Sequence, residues 1–385
     1  MSLTAPPLVY DPTTMQFQQD MFPIYQRMRD EQPVYVGDGF YALSRFEDVW
    51  RAVNDWEAFS SVVDEANSLL PQMIYFDPPR HTAMRALVSR AFTPKRVAEV
   101  EGLVRATARS LLDEVGAAGG CELQHSFAAV VPSVVIAKMI GVEEEHIPQF
   151  RGWTESFLEI TGPSDYQEAA GKIYGLFASL LAARRAEPRN DLMTALIEAE
   201  VDGQRLSDEE LLGFCLLLIL AGNDTTSSLI GSGMVLLARN PDQRERLVAD
   251  PSLWPNAIEE MNRIESPTQV LPRTTTADIT LHGVTIPAGS RVMLIWGSAN
   301  HDEREFPAPE RFDVTRNVTR HLAFGHGIHY CLGANLARLE ARVAFQEWHA
   351  RFPRYELAGE PERIVSIWAR AYRRVPISVS PGEAG

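Results

Sequence analysis

The sequence predicts a mainly α-helical protein with a small β-rich part, and three observations carry that expectation. Apolar residues recur three and four apart through most of the chain, which is the spacing of amphipathic helices. A proline-free stretch over 207–239 opens with Ser207-Asp208-Glu209-Glu210, a capping box, and is apolar on every side from 211 to 220. Strand-like segments are short, and glycine or proline turns interrupt them.

In chain order, the pattern predicts helices over 21–32, 46–55, 81–92, 94–115, 127–140, 166–185 and 191–201. Thr93-Pro94 supplies an N-cap and a first-turn proline for the fourth of these. The stretch 207–239 reads as one helix roughly 50 Å long, buried as the axis of the molecule because it has no polar face. An amphipathic helix follows over 332–352. A hairpin is expected over 34–43, where Gly37-Asp38-Gly39 turns the chain. Short β-structure is expected over 279–295, with turns at His282-Gly283 and Pro287-Ala288-Gly289, and over 374–379. No internal repeat or low-complexity linker divides the chain, so a single domain over 1–385 is expected, with a short proline-containing arm over 1–14.

Composition bounds the function. With 45% apolar and 23% charged residues the chain is an ordinary globular one, not a disordered or collagenous one. Lys plus Arg number 36 against 51 Asp plus Glu, and the net charge of -15 argues against a nucleic-acid binder or a partner of anionic membranes. Cys121, Cys215 and Cys331 are too few and too scattered for a disulfide scaffold, which favours a reducing compartment. The N-terminal residues lack the basic and apolar regions of a signal peptide, and the longest strongly apolar run, 211–222, is shorter than the ~18–20 residues of a membrane-spanning helix. A cytoplasmic protein without a membrane anchor is expected.

The segment Phe324-Gly325-His326-Gly327-Ile328-His329-Tyr330-Cys331-Leu332-Gly333 sets a lone cysteine between glycines just ahead of a helix. Peptide N–H groups and the positive helix end favour an anionic sulfur there, and glycine lets a flat, bulky group approach the backbone. A lone cysteine in that position is by itself more often a small buried hydrophobe, so the neighbouring pattern decides. That pattern resembles the haem-binding motif of the cytochrome P450 family through Phe324, Gly327, Cys331 and Gly333. The resemblance extends to Ala221-Gly222-Asn223-Asp224-Thr225-Thr226, similar to the family's oxygen-activation motif, and to Glu260-x-x-Arg263. Phe306-Pro307-Ala308-Pro309-Glu310-Arg311-Phe312 is similar to the segment whose arginine completes a Glu-Arg-Arg triad, and 77–85 is typical of soluble bacterial members.

The resemblance implies a cytochrome P450 fold, with the long central helix lying over a haem b (iron protoporphyrin IX). It implies Cys331 as axial ligand of the iron, and His81, Arg85, Arg273 and His329 as partners of the two propionates. Asp224 and Thr225 are then implicated in delivering protons to dioxygen, with Ala221-Gly222 permitting a local widening of the helix. Glu260, Arg263 and Arg311 are implicated as a structural triad, although an i,i+3 pair is more often an exposed one. Pocket walls are expected at 62–75 (Leu69, Leu70, Met73, Ile74), at 157–160, at Leu217, Leu220 and Ala221, at Gln269, Val270 and Leu271, and near Trp368. These side chains are chiefly apolar, which suits a lipid, terpenoid or steroid. Electrons are expected from a ferredoxin- or flavodoxin-type donor and its reductase, docking where Arg80, Arg85, Arg90, Lys95, Arg96, Arg338 and Arg342 make the surface locally basic. A peroxide-driven peroxygenase and a non-catalytic haem sensor or carrier stay open as alternatives.

Overall fold

The computed structural model describes residues 7–62, 72–158 and 163–379. Its axis is the helix Asp208–Arg239, capped as the sequence demands: Ser207 Oγ accepts from Glu210 N at 3.2 Å, and Glu210 Oε2 accepts from Ser207 N at 2.9 Å. Around it pack the helices Val130–Ile140, Pro163–Ala186, Trp254–Glu265 and Ala334–Arg351. The axis is long and apolar enough to cross a membrane, longer in that sense than the 211–222 run suggests. Its most apolar stretch is nevertheless 61% buried against these neighbours, as in the core helix of a globular protein.

Two expected helices are divided. The segment 94–115 forms Pro94–Glu99 and Glu101–Ala118, meeting at Val100, and the second runs on to a left-handed Gly119. The segment expected over 127–140 begins earlier, with a π-turn Gln124–Ala128, before the α-helix Val130–Ile140. Gln124 Nε2 reaches Ser227 Oγ on the central helix at 2.6 Å, which pins this wide turn against the axis.

The β-structure lies to one side. A five-stranded sheet runs Val34–Val36, Tyr41–Leu43, Arg291–Ile295, Val270–Thr275 and Phe59–Ser60 in spatial order. The first two strands form the expected hairpin, and Tyr41–Leu43 lies parallel to Arg291–Ile295. Ile279–Leu281 and Val284–Ile286 pair through the His282-Gly283 turn. Pro376–Val379 pairs with Gly120–Glu122 and Tyr355–Leu357, two strands the sequence did not announce. The large helical core and the sheet core of Val34, Phe46, Val292, Leu294 and Trp296 flank the loop that carries Cys331.

Candidate functional site

The Cys331 loop is shaped by its glycines. Gly325 and Gly327 hold φ near +65° and +66°, and a Cβ on Gly327 would stand 2.7 Å from the Val53 carbonyl oxygen, so a larger residue there is excluded twice over. The loop closes where Cys331 N donates to Phe324 O at 2.9 Å, and Gly333 caps the helix Ala334–Arg351. Cys331 carries exposed surface although protein surrounds it closely, as on the wall of an interior cleft. Burial pushes its thiol above the usual value, while the N–H groups of Gly333 and Ala334 and the cations Arg85 and Arg338 pull the other way. Burial wins. The glycine turn expected to favour an anionic sulfur does act in that direction, and a metal ion bound at the sulfur would hold it as the thiolate.

Four more of the expected residues converge beside this loop. The His81 and His329 rings lie 4.2 Å apart, and Arg85 Nη2 donates to Tyr330 O at 2.7 Å. Arg273, on the strand Val270–Thr275, is buried and, among the described residues, donates only to its neighbour Pro272 O. Both ring nitrogens of His81 and Nε2 of His329 are buried without a hydrogen-bond partner among the described residues. Burial and then the neighbouring positive groups push His329 down to about 3, and burial with Arg85 lowers His81. Neutral imidazole donors and two guanidiniums around one place make a receptor for carboxylates, since leaving such groups unpaired costs ~1–3 kcal/mol each. With Cys331 alongside, this donor set fits a flat dianionic cofactor that carries a metal: a haem.

Midway along the central helix Ala221 is exposed between part-buried Leu220 and Gly222, and a Cβ on Gly222 would meet nothing within 4 Å. The expected widening is not there: the α-helix is continuous from Asp208 to Arg239, and Thr225 Oγ1 donates to Ala221 O at 2.6 Å. Asp224 has no ion-pair partner among the described residues. Burial pushes its carboxyl up to about 7, against a hydrogen bond from Asn223 Nδ2 at 3.3 Å. Asn223 is itself anchored, with Oδ1 2.6 Å from Ser133 Oγ.

Glu260 and Arg263 form a fully buried pair, with Arg263 Nε to Glu260 Oε2 at 2.7 Å and Nη2 to Oε1 at 2.9 Å. The third member is Arg316, not Arg311. Arg316 Nε reaches Glu260 Oε1 at 2.9 Å and its other nitrogens bind the carbonyls of Pro307, Ala308 and Arg311, while the Arg311 side chain is 67% exposed and faces Asp313. Motif proximity pointed to Arg311. The loop turns over at Ala308, which has a positive φ, and thereby presents the later arginine.

The pocket reading needs two corrections. Val270 is wholly buried in the cluster of Tyr10, Phe17, Tyr25 and Ile295, because alternate residues of its strand face opposite sides. Gln269 is tied down by Tyr25 Oη, Glu265 O and Ser266 O. Leu217, Leu220, Leu271 and Ile74 are half-buried, Met73 joins the helical core, and Trp368 is exposed. Leu69, Leu70 and residues 159–160 lie outside the described residues. The basic surface is partly neutralised: Arg80 pairs with Glu210, Arg338 with Glu259 and Arg342 with Glu101, while Arg85, Arg90 and Arg96 bind backbone carbonyls and keep their charge. Lys95 stays exposed beside a cleft of about 340 Å³ lined by Pro94, Val97, Glu101, Glu259, Arg338 and Arg342.

A model of the family described as "Cytochrome P450" matches residues 167–251 and 252–353. Cytochrome P450 130 of Mycobacterium tuberculosis is 40% identical over 93% of this chain and 94% of its own length. Vitamin D(3) 25-hydroxylase of Pseudonocardia autotrophica is 38% identical over 96% of both chains. The crystal structure of CYP109E1 from Bacillus megaterium in complex with testosterone superposes with a TM-score of 0.88 at 32% identity, covering 94% of this chain and 99% of that one.

Proposed function

Since the chain belongs to the cytochrome P450 family, as a bacterial-type haem monooxygenase, we propose that it hydroxylates or epoxidises a mainly apolar small molecule of the steroid, terpenoid or lipid type. The reading includes one haem b in a single domain over 1–385, a cytoplasmic location, and electrons from a separate ferredoxin- or flavodoxin-type protein and its reductase. The observation that carries it is the pair of adjacent histidines, His81 and His329, with buried ring nitrogens unpartnered among the described residues, set with Arg85 and Arg273 beside Cys331.

Bound there, the haem supplies the redox chemistry that activates dioxygen. Cys331 holds the iron through its sulfur, and the two histidines and two arginines hold the propionates by charge-assisted hydrogen bonds. Asp224, with its carboxyl at about 7, takes and gives a proton near neutral pH at little cost in either direction. The Thr225 hydroxyl spends its own proton on Ala221 O, which leaves its oxygen to accept a hydrogen bond from a water or other donor above the helix. Glu260, Arg263 and Arg316 hold the segment preceding the cysteine loop.

Half-buried Leu217, Leu220, Leu271 and Ile74 support an apolar substrate, as do a vitamin D3 hydroxylase among the relatives and a testosterone-bound structure among the neighbours. The Asp224–Thr225 pair favours dioxygen over peroxide as oxidant. The test is a panel of steroids, terpenoids and fatty acids screened for the low-spin to high-spin Soret shift, followed by turnover with reduced donor protein or with peroxide. Spin shifts and product with the donor are expected. Shifts confined to charged, polar compounds would reject the substrate class, and faster turnover with peroxide alone would favour the peroxygenase.

A further inference from the structure

Glu259 and Glu260 are consecutive on the helix Trp254–Glu265 yet serve different partners. Glu260 turns inward to Arg263 and Arg316, whereas Glu259 meets both flanks of the cysteine loop. Its Oε1 accepts from Arg338 Nε at 2.7 Å and its Oε2 from Arg338 Nη2 at 2.8 Å, a two-pronged pair. Oε2 also lies 2.9 Å from His321 Nε2. His321 Nδ1 accepts the Ala323 N–H at 3.1 Å, so its ring proton sits on Nε2 and points to Glu259. Burial opposes ionisation of Glu259, but the hydrogen bonds from Arg338 and His321 overcome it and hold the carboxyl at about 2. Glu259 is thus an anion at working pH.

Arg338 is the bridge to the sulfur. Its guanidinium lies 4.4 Å from the Phe324 ring centre and its Nη1 donates to Tyr330 Oη at 3.1 Å, so it stands against the two residues that bracket Cys331: Tyr330 precedes it and Phe324 O accepts its N–H at 2.9 Å. We propose that Glu259 is a positioning residue for the Cys331 ligand: by holding Arg338 as half of a neutral pair, it limits how strongly that cation draws electron density from the sulfur. The inference rests on Cys331 ligating the haem iron, as proposed above. Both side chains are partly withdrawn from water, so their charges are screened less than on an open surface, and neutralising one alters the balance between the oxidised and reduced centre.

The sign of the effect separates charge from architecture. Removing the anion in Glu259→Gln leaves the cation uncompensated, which favours the more negative, reduced centre and raises the reduction potential. Arg338→Gln leaves the anion, held by His321, and lowers the potential. The double variant returns toward wild type. A residue that merely braced the loop would instead move both single variants the same way, toward loss of the thiolate spectrum. The experiment is spectroelectrochemical titration of the haem-loaded wild type and the three variants, with the reduced carbon-monoxide spectrum as the check on the ligand. Opposite shifts with the thiolate band retained are expected. Equal, same-direction or absent shifts would overturn the inference while leaving Cys331 as ligand, and a wild type without the thiolate band would overturn the functional reading and this inference together. Should Glu259→Gln fail to hold haem, Arg338→Gln decides: a fall in potential supports the inference, and no fall refutes it.

Discussion

Replacing Glu260 by Ala removes the acceptor for two arginines at once. Glu260 and Arg263 have wholly buried side chains, and Arg316 is 15% exposed. Arg263 would keep one strong hydrogen bond, to Asn300 O at 2.8 Å, but no counter-charge among the described residues. Breaking a buried pair from one side costs ~3–5 kcal/mol, because the remaining charge stays desolvated. With an unfolding entropy of about 2.1 cal/mol/K per residue, a chain of this length melts about 4–6 °C lower for that loss. Arg316→Ala leaves Glu260 on Arg263 and forfeits one charge-assisted bond to it plus carbonyl contacts, so about 1.5–3 kcal/mol and about 2–4 °C are expected. Arg311→Ala removes an exposed side chain 3.5 Å from Asp313 and is expected to cost less than about 1 kcal/mol. Calorimetric melting and haem content per chain, measured on the three variants side by side, check the order Glu260 > Arg316 > Arg311. A larger effect at Arg311 than at Arg316, or a wild-type melt for Glu260→Ala, would refute the buried-triad reasoning.

The remaining predictions concern the proposed haem and proton sites. Cys331→Ala should abolish the red-shifted Soret band of the reduced carbon-monoxide complex, while Cys121→Ala and Cys215→Ala keep it, as absorbance spectra will tell; loss of the band at Cys215 would sink the ligand assignment. Thr225→Ala should retain haem and spin shift yet divert reducing equivalents into hydrogen peroxide, measured as the ratio of peroxide to product, and unchanged coupling would remove Thr225 from proton delivery. Asp224 has a folded-state value of about 7 against an ordinary 3.8, so the native state binds the extra proton and wild-type stability falls as pH rises from about 4 through about 7, by at most ~4 kcal/mol. Asp224→Asn lacks that dependence and should gain melting temperature over wild type at pH 8 relative to pH 5; a pH-independent difference would show that the carboxyl is not buried.

The sequence by itself determined the helical architecture, the central axis and the identity of the cysteine loop, because each is written in local chemistry. The Ser207–Glu210 box, the all-round apolar 211–220 stretch and the glycines at 325 and 327 act on residues within a turn or two of themselves. His81, Arg85, Arg273 and His329 were legible as residues through the resemblance, but their convergence is a property of three separated segments brought to one place. Only the tertiary structure decided that Arg316 completes the triad, since Arg311 and Arg316 are equally cationic and differ in which one the turn at Ala308 aims inward. Only it removed Gln269 and Val270 from the pocket, through a hydrogen-bond network and a strand alternation that depend on distant partners. Only it showed that Arg80, Arg338 and Arg342 are paired, because whether a surface cation has a counter-charge depends on the carboxylates that other helices bring within 4 Å.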